Sequence, residues 1–320
     1  MSAPMINKVL VIGAGLMGQQ IALQCALFDV EVNLFCRSEM ALARARRHLK
    51  RYAAYLQQGG HITSAWAARA LEKITLTLDP VAAAAEVDLV SESVTEDKAV
   101  KLQVWRQFGP LVPSRAILTT NSSVILPSEM AAASGRPRQF LGWHFHQLCF
   151  VKNIVDVMPH ANTDPACVAA VAAFSRSLNL YPITLQKEHR GYVFNAMLVR
   201  FLAAALELAV EGVASLEEID QAWMTIMQAP QGPFALMDSV GLDTVANILR
   251  FGLEVEAHNP LYPRALAWLQ PLLAQGHLGQ KTGRGFYSYN RPQRSREPRS
   301  TAASQGGEGL REVRLHQDEL

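Results

Sequence analysis

The 320-residue sequence predicts an α/β protein in two parts, a doubly wound parallel sheet domain followed by an all-α helical domain. A β-branched run leads through closely spaced glycines into a helix and then a second strand. Short apolar runs then alternate with helical segments, the pattern of parallel strands joined by crossover helices. After Gly191 only helical periods remain. These shifts place the sheet domain at 1–189, the helical domain at 190–289 and a flexible tail at 290–320. With 49% hydrophobic and 18% charged residues the chain can bury real cores, which excludes global disorder and a fibre.

Val9-Leu10-Val11-Ile12 reads as a strand buried on both faces. Gly13-Ala14-Gly15-Leu16-Met17-Gly18 follows, Ile21 to Leu27 has helical spacing, and Val30 to Phe35 completes a β-α-β unit. In that setting each glycine has its own job. Gly13 permits the tight turn, Gly15 lets the backbone approach a pyrophosphate, and Gly18 lets helix and strand pack closely. Leu16 and Met17 open the helix whose N-terminus faces the phosphates, so the unit reads as a Rossmann-type dinucleotide site. An acidic residue at the end of the second strand would grip a ribose 2′-hydroxyl, but this chain has Cys36-Arg37-Ser38 there. A guanidinium and a hydroxyl suit a 2′-phosphate, so NADP(H) is favoured over NAD(H). Alternatively, Arg37 stacks on adenine and NAD is used.

Met40 to Gln58 reads as a basic amphipathic helix carrying Arg44, Arg46, Arg47, His48, Lys50 and Arg51, either a solvated face or a patch for substrate phosphates. Val87 to Val90 and Ala116 to Thr120 read as parallel strands, the latter leading into Asn121-Ser122-Ser123; Gln139 to Phe145 and Asn153 to Val157 are further strands. Ligands of open α/β sheets gather beyond the carboxyl ends of strands, where these polar residues fall. The segment Thr120 to Ser123 could also cap a helix starting near Pro127. In the second part, helices are expected over Asn195–Ala209, from Ser215 with a Ser-to-Glu capping pattern, and over Leu236–Leu253. Trp223, Met224 and Met227 read as core or interface. Apolar faces richer than a small bundle needs point to self-association.

Thirty basic against twenty-eight acidic residues leave a net charge of +2, too small a field to gather nucleic acid. Cys25, Cys36, Cys149 and Cys167 lack the spacing of a zinc site or disulfide framework, so a reducing cytoplasm and no metal are expected. The first residues lack the apolar core of a signal peptide, and no run approaches ~18 apolar residues, so no membrane association is expected.

Eight motifs in order then make the chain resemble the L-3-hydroxyacyl-CoA dehydrogenase family. They are Gly13 to Gly18; Ser91 to Asp97 with Lys101; Thr120 to Ser123; His144-Phe145; Gly191 to Asn195; Glu211 to Ser215 with Ile219-Asp220; Pro230 to Phe234 ending in Gly241-Leu242-Asp243; and Lys281 to Tyr287. The resemblance implies hydride transfer between a nicotinamide and the 3-position of an acyl thioester, in a homodimer formed by the helical domain. His144 matches the general base, for which an imidazole's near-neutral pKa is suited. Ser123 and Asn195 match the groups that bond the reacting oxygen and the histidine. Asp156 stands where the family orients the histidine with a glutamate, and its arm is shorter by on the order of 1 Å. Glu96 and Lys101 match positions bordering nicotinamide and substrate, and with Asn121 they are expected to bind the coenzyme; by themselves Glu96 and Lys101 would read as a solvated helix pair.

The family usually follows the histidine motif with Phe-Asn-Pro, whereas this chain has His146-Gln147-Leu148, and Ala196 replaces a common arginine. His146 falls on the same strand face as His144, where it could share proton handling. These departures surround the substrate, which suggests an unusual 3-hydroxyacyl or 3-hydroxy acid. Two other readings remain: a dehydrogenase of a free 3-hydroxy acid, resembling gulonate dehydrogenase and λ-crystallin, and a noncatalytic nucleotide-binding protein.

Overall fold

A computed structural model describes residues 6–255 and 258–289; the expected tail from residue 290 lies outside them. The chain divides into two compact units, the first ending at Phe194 and the second beginning at Asn195.

The first unit runs β1 (Lys8–Ile12), α1 (Leu16–Leu27), β2 (Glu31–Phe35), α2 (Glu39–Gln58), α3 (Ser64–Glu72), β3 (Ile74–Thr77), α4 (Pro80–Ala84) and β4 (Leu89–Glu92). It continues through α5 (Lys98–Phe108), β5 (Ile117–Thr120), α6 (Ser128–Ala131), β6 (Phe140–Phe145), β7 (Ile154–Pro159), α7 (Pro165–Ser177) and β8 (Tyr181–Thr184). The strands form one sheet in the order β3-β2-β1-β4-β5-β6-β7-β8. Every neighbouring pair is parallel except β6 and β7. Alternation along β1 feeds two cores. Val9 and Val11 pack with α1, α2 and α7 on one face, while Leu10 and Ile12 pack with α4, α5 and α6 on the other. The fold is therefore Rossmann-like and doubly wound.

Three features depart from the expected strand pattern. β3 and β8 were not expected, being four residues each and only partly buried. β4 begins two residues later than anticipated, because the Asp88 carboxylate accepts bonds from the Asn7 and Lys8 amides ahead of the strand. β7 runs antiparallel to β6 and thereby places Asp156 directly opposite His144 in the ladder.

The second unit holds α8 (Phe194–Val210) after its first residue, α9 (Leu216–Met227), α10 (Pro233–Val240), α11 (Leu242–Val255) and α12 (Leu261–Ala274). Its core gathers Leu206, Phe234, Met237, Leu242, Ala265 and Leu269. Ser215 and Glu218 form the reciprocal cap at the start of α9. The single helix expected over Leu236–Leu253 is instead two, separated at Gly241, whose φ of 98° no helix accommodates. Among the described residues, no helix is long and apolar enough to cross a membrane.

Candidate active site

At the carboxyl edge of the sheet, between β1 and β4 where the strand order reverses, the glycine turn forms a cradle. Gly13 sits at φ 107° and donates to the Phe35 carbonyl, while Gly15 precedes α1 without any side-chain cap on the helix's first amides. A Cβ on Gly18 would stand 1.8 Å from the Gly13 oxygen, so only glycine lets helix and turn meet. A Cβ on Gly15 would meet nothing within 4 Å and would fill the open space in front of the helix. Leu16 is 45% exposed beside it, and Met17 is half-buried. Backbone this bare at a helix N-terminus fits a dinucleotide's phosphates. Cys36 is fully buried, which removes it from ribose recognition. Arg37 is exposed, whereas the Ser38 hydroxyl already caps α2 by accepting from the Ala41 amide.

The acid–base group lies at the end of β6. Nδ1 of His144 is 3.0 Å from Oδ2 of Asp156, and its Nε2 is 3.2 Å from Oγ of Ser123. Burial pushes the Asp156 carboxyl up, but hydrogen bonds from His144 and then His146 overcome this and hold it below the ordinary value. An ionised Asp156 only accepts, so the His144 proton sits on Nδ1 and Nε2 is left to accept from the serine hydroxyl. Burial also lowers the His144 pKa, more than its bond to Asp156 raises it, so the ring is neutral near pH 7. A neutral imidazole with a free Nε2 lone pair, oriented from behind by a carboxylate, can take a proton from a hydroxyl.

His146 adds a second contact to the same oxygen, its Nε2 lying 3.2 Å from Asp156 Oδ2. Among the described residues, His144, His146 and Asp156 are the one trio of histidine, cysteine or acid whose donor atoms converge, all within 4.8 Å. The turn after them, where Leu148 replaces the family's rigid proline, is secured differently. Leu148 adopts φ 64°, and its amide donates to Gln20 Oε1 at 2.6 Å. Gln147 is exposed.

Several expected site residues make structural contacts. Asn121 Oδ1 accepts from the Phe145 amide at 2.8 Å, tying the ends of β5 and β6 together beside His144. Lys101 is neither a solvated residue nor open to a ligand: it is buried, 2.8 Å from Glu92 and 3.3 Å from Glu96. Glu96, 35% exposed, bonds the Ser122 hydroxyl and the Ser123 and Val124 amides. Burial raises the Glu96 pKa, but Lys101 and these donors bring it below its ordinary value. Together they fix the loop that carries Ser123. Thr120 to Ser123 is not a helix cap, because α6 starts after Pro127 with no side-chain cap and Ser122 Oγ accepts from Ile125 instead. The basic residues of α2 line a solvated face. Asn195 stands in the first turn of α8, in the second unit.

Two contributors escaped the sequence. Glu92 is wholly buried and accepts from Lys101, Thr120 and the Val94 amide. Tyr192 stacks on His144 with ring centres 4.3 Å apart and planes 10° from parallel, and its hydroxyl donates to the Ser122 carbonyl. The signal for Tyr192 was Gly142 inside β6, where a Cβ would come within 2.8 Å of that hydroxyl.

A profile of the 3-hydroxyacyl-CoA dehydrogenase NAD binding domain matches residues 8–189, and one of that family's C-terminal domain matches 191–289. The 3-hydroxybutyryl-CoA dehydrogenase of Mycobacterium tuberculosis is 34% identical over 286 residues, covering 89% of this chain and 99% of that one. Human mitochondrial hydroxyacyl-coenzyme A dehydrogenase is 31% identical over 293 residues, 89% of this chain and 91% of that one. A diketoreductase described as acting on dicarbonyl compounds matches with a TM-score of 0.83 and 36% identity, covering 90% of this chain and all of that one (100%). The (S)-3-hydroxybutyryl-CoA dehydrogenase of Ralstonia eutropha matches with a TM-score of 0.81 and 32% identity, with coverages of 90% and 100%. With both domains matched in order over 8–289, the chain belongs to the 3-hydroxyacyl-CoA dehydrogenase family.

Proposed function

We propose that this protein is an oxidoreductase that interconverts the 3-hydroxy and 3-keto groups of an acyl-CoA thioester with a nicotinamide coenzyme. The observation that carries the reading is the chain Ser123 Oγ, His144, Asp156 at the carboxyl edge of the sheet that also holds the glycine cradle. A bound nicotinamide supplies the hydride acceptor or donor. His144 Nε2 removes the hydroxyl proton as the alcohol is oxidised and returns it to the ketone oxygen in reduction. Ser123 orients the reacting oxygen beside Nε2, and Asp156 stabilises the positive charge that develops on the ring. The family resemblance adds Asn195 to the proposed catalytic residues. Gly13, Gly15, Leu16, Met17 and Gly18 hold the pyrophosphate, with Glu96, Lys101 and Asn121 supporting the nicotinamide end as positioning residues.

NADP(H) is the coenzyme this reading prefers. The end of β2 offers no carboxylate, and Arg37 is exposed with no partner among the described residues. Because Ser38 is occupied as a cap, the preference rests on Arg37 alone. A homodimer formed through the second unit accounts for the exposure of Met197, Val213, Ile226 and Met227, which are 62%, 63%, 78% and 57% exposed. The test is acetoacetyl-CoA with NADPH and with NADH. Turnover supports the reading, and activity on free 3-hydroxy acids alone replaces the thioester. An NADH preference of about tenfold or more rejects the role of Arg37.

A further inference from the structure

Asp156 carries two imidazoles on one oxygen. Oδ2 takes Nδ1–H of His144 at 3.0 Å and Nε2–H of His146 at 3.2 Å, while Oδ1 is buried without a partner. No hydrogen bond on the second oxygen resists rotation about the Cβ–Cγ bond, so only one corner of the carboxylate is hydrogen-bonded. An aspartate, shorter than the family's glutamate, has little reach to lose if it turns. We propose that His146 is a positioning residue for the acid–base pair, fixing the Asp156 carboxylate so that Oδ2 faces Nδ1 of His144.

The strand brings this about. Residues two apart in extended chain share a face, so His146 reaches the carboxylate that lies across the ladder from His144. Its own ring is held edge-on, with centres 5.0 Å from His144 and 5.5 Å from Phe194. Sharing the oxygen has an electrostatic consequence as well. His146 lowers the His144 pKa, but by less than the hydrogen bond to Asp156 raises it. The other ionisable groups acting on the pair are Glu96, from the loop after β4, and Tyr192, stacked on His144 and held neutral by burial.

The inference rests on the dehydrogenase reading, but its test has a part that needs no substrate. H146F removes the donor and keeps a ring, whereas H146Q restores an uncharged N–H of similar reach. NMR titration of nitrogen-15-labelled histidines in the full-length protein reads the His144 pKa directly. In H146F the freed carboxylate turns from Nδ1, and losing that bond outweighs losing the His146 charge, so the pKa should fall by about half a unit or more, with H146Q moving it less. With acetoacetyl-CoA, H146F should lower kcat by about tenfold or more, with coenzyme Kd unchanged, and H146Q should recover most of the loss. Should H146F fail to fold, H146N replaces it, its arm being too short to reach Oδ2. An unaltered or raised His144 pKa in the donor-free variant, or equal kcat losses in both variants, overturns the proposal. Lack of turnover by the unaltered enzyme would reject the dehydrogenase reading instead and leave the titration result standing.

Discussion

At residue 144 one ring must be neutral to accept a proton and yet carry charge once it has done so. Burial supplies the first property and Asp156 the second, since the carboxylate stays ionised beneath the ring. For alcohol oxidation the base must be unprotonated, so kcat/KM should fall as pH drops, with an apparent pKa below the ordinary 6.5. A pH–rate profile that breaks above that value would contradict the burial argument. Exchanging the acid, Asp156→Asn, removes the charge that stabilises the imidazolium and should lower kcat about 10²–10⁴-fold while coenzyme affinity is kept. Ser123 and His144 were legible in the sequence because the motifs put them near the ends of β5 and β6, and Asp156 because it stands where the family has a glutamate. Tyr192 and Glu92 were not, because their roles exist only once the sheet is assembled: one ring lies over another, and an acid is buried beneath a helix.

The elements do the positioning through a few tight approaches. Gly18→Ala would drive a methyl into the Gly13 carbonyl and should unfold the first turn of α1, seen as a lower melting temperature. Gly15→Ala meets no protein atom, so melting should be kept while coenzyme affinity falls at least about tenfold. Equal losses of stability in both variants would remove the argument that Gly15 is kept open for a ligand. The β-α-β opening was readable because three signals agree there, namely a β-branched run, spaced glycines and a helical period. The antiparallel β7 was not, since direction depends on the turn at 146–153, where Leu148 takes a left-handed backbone fixed by Gln20 from far along the chain. The split of the expected 236–253 helix follows from one backbone angle at Gly241, which composition does not announce.

At the scale of the whole molecule, each unit carries its own buried acid network. In the second, Asp238 accepts from the Phe286 and Tyr287 amides and the Tyr289 hydroxyl, and Asp220 accepts from the Phe234 and Ala235 amides. Asp238→Ala leaves those three donors unpaired, at about 1–3 kcal/mol each, and should lower the melting temperature by about 5 °C or more. An unchanged melting curve would show that the clasp is dispensable. The order of the motifs made both units legible in the sequence, and the same order is what the family profiles match. The most direct test of the central claim is steady-state reduction of acetoacetyl-CoA by the protein and by its His144→Ala variant, with coenzyme affinity measured for both. The expected result is turnover that falls about 10²–10⁴-fold in the variant while coenzyme still binds. Turnover that survives the loss of the imidazole would contradict the account.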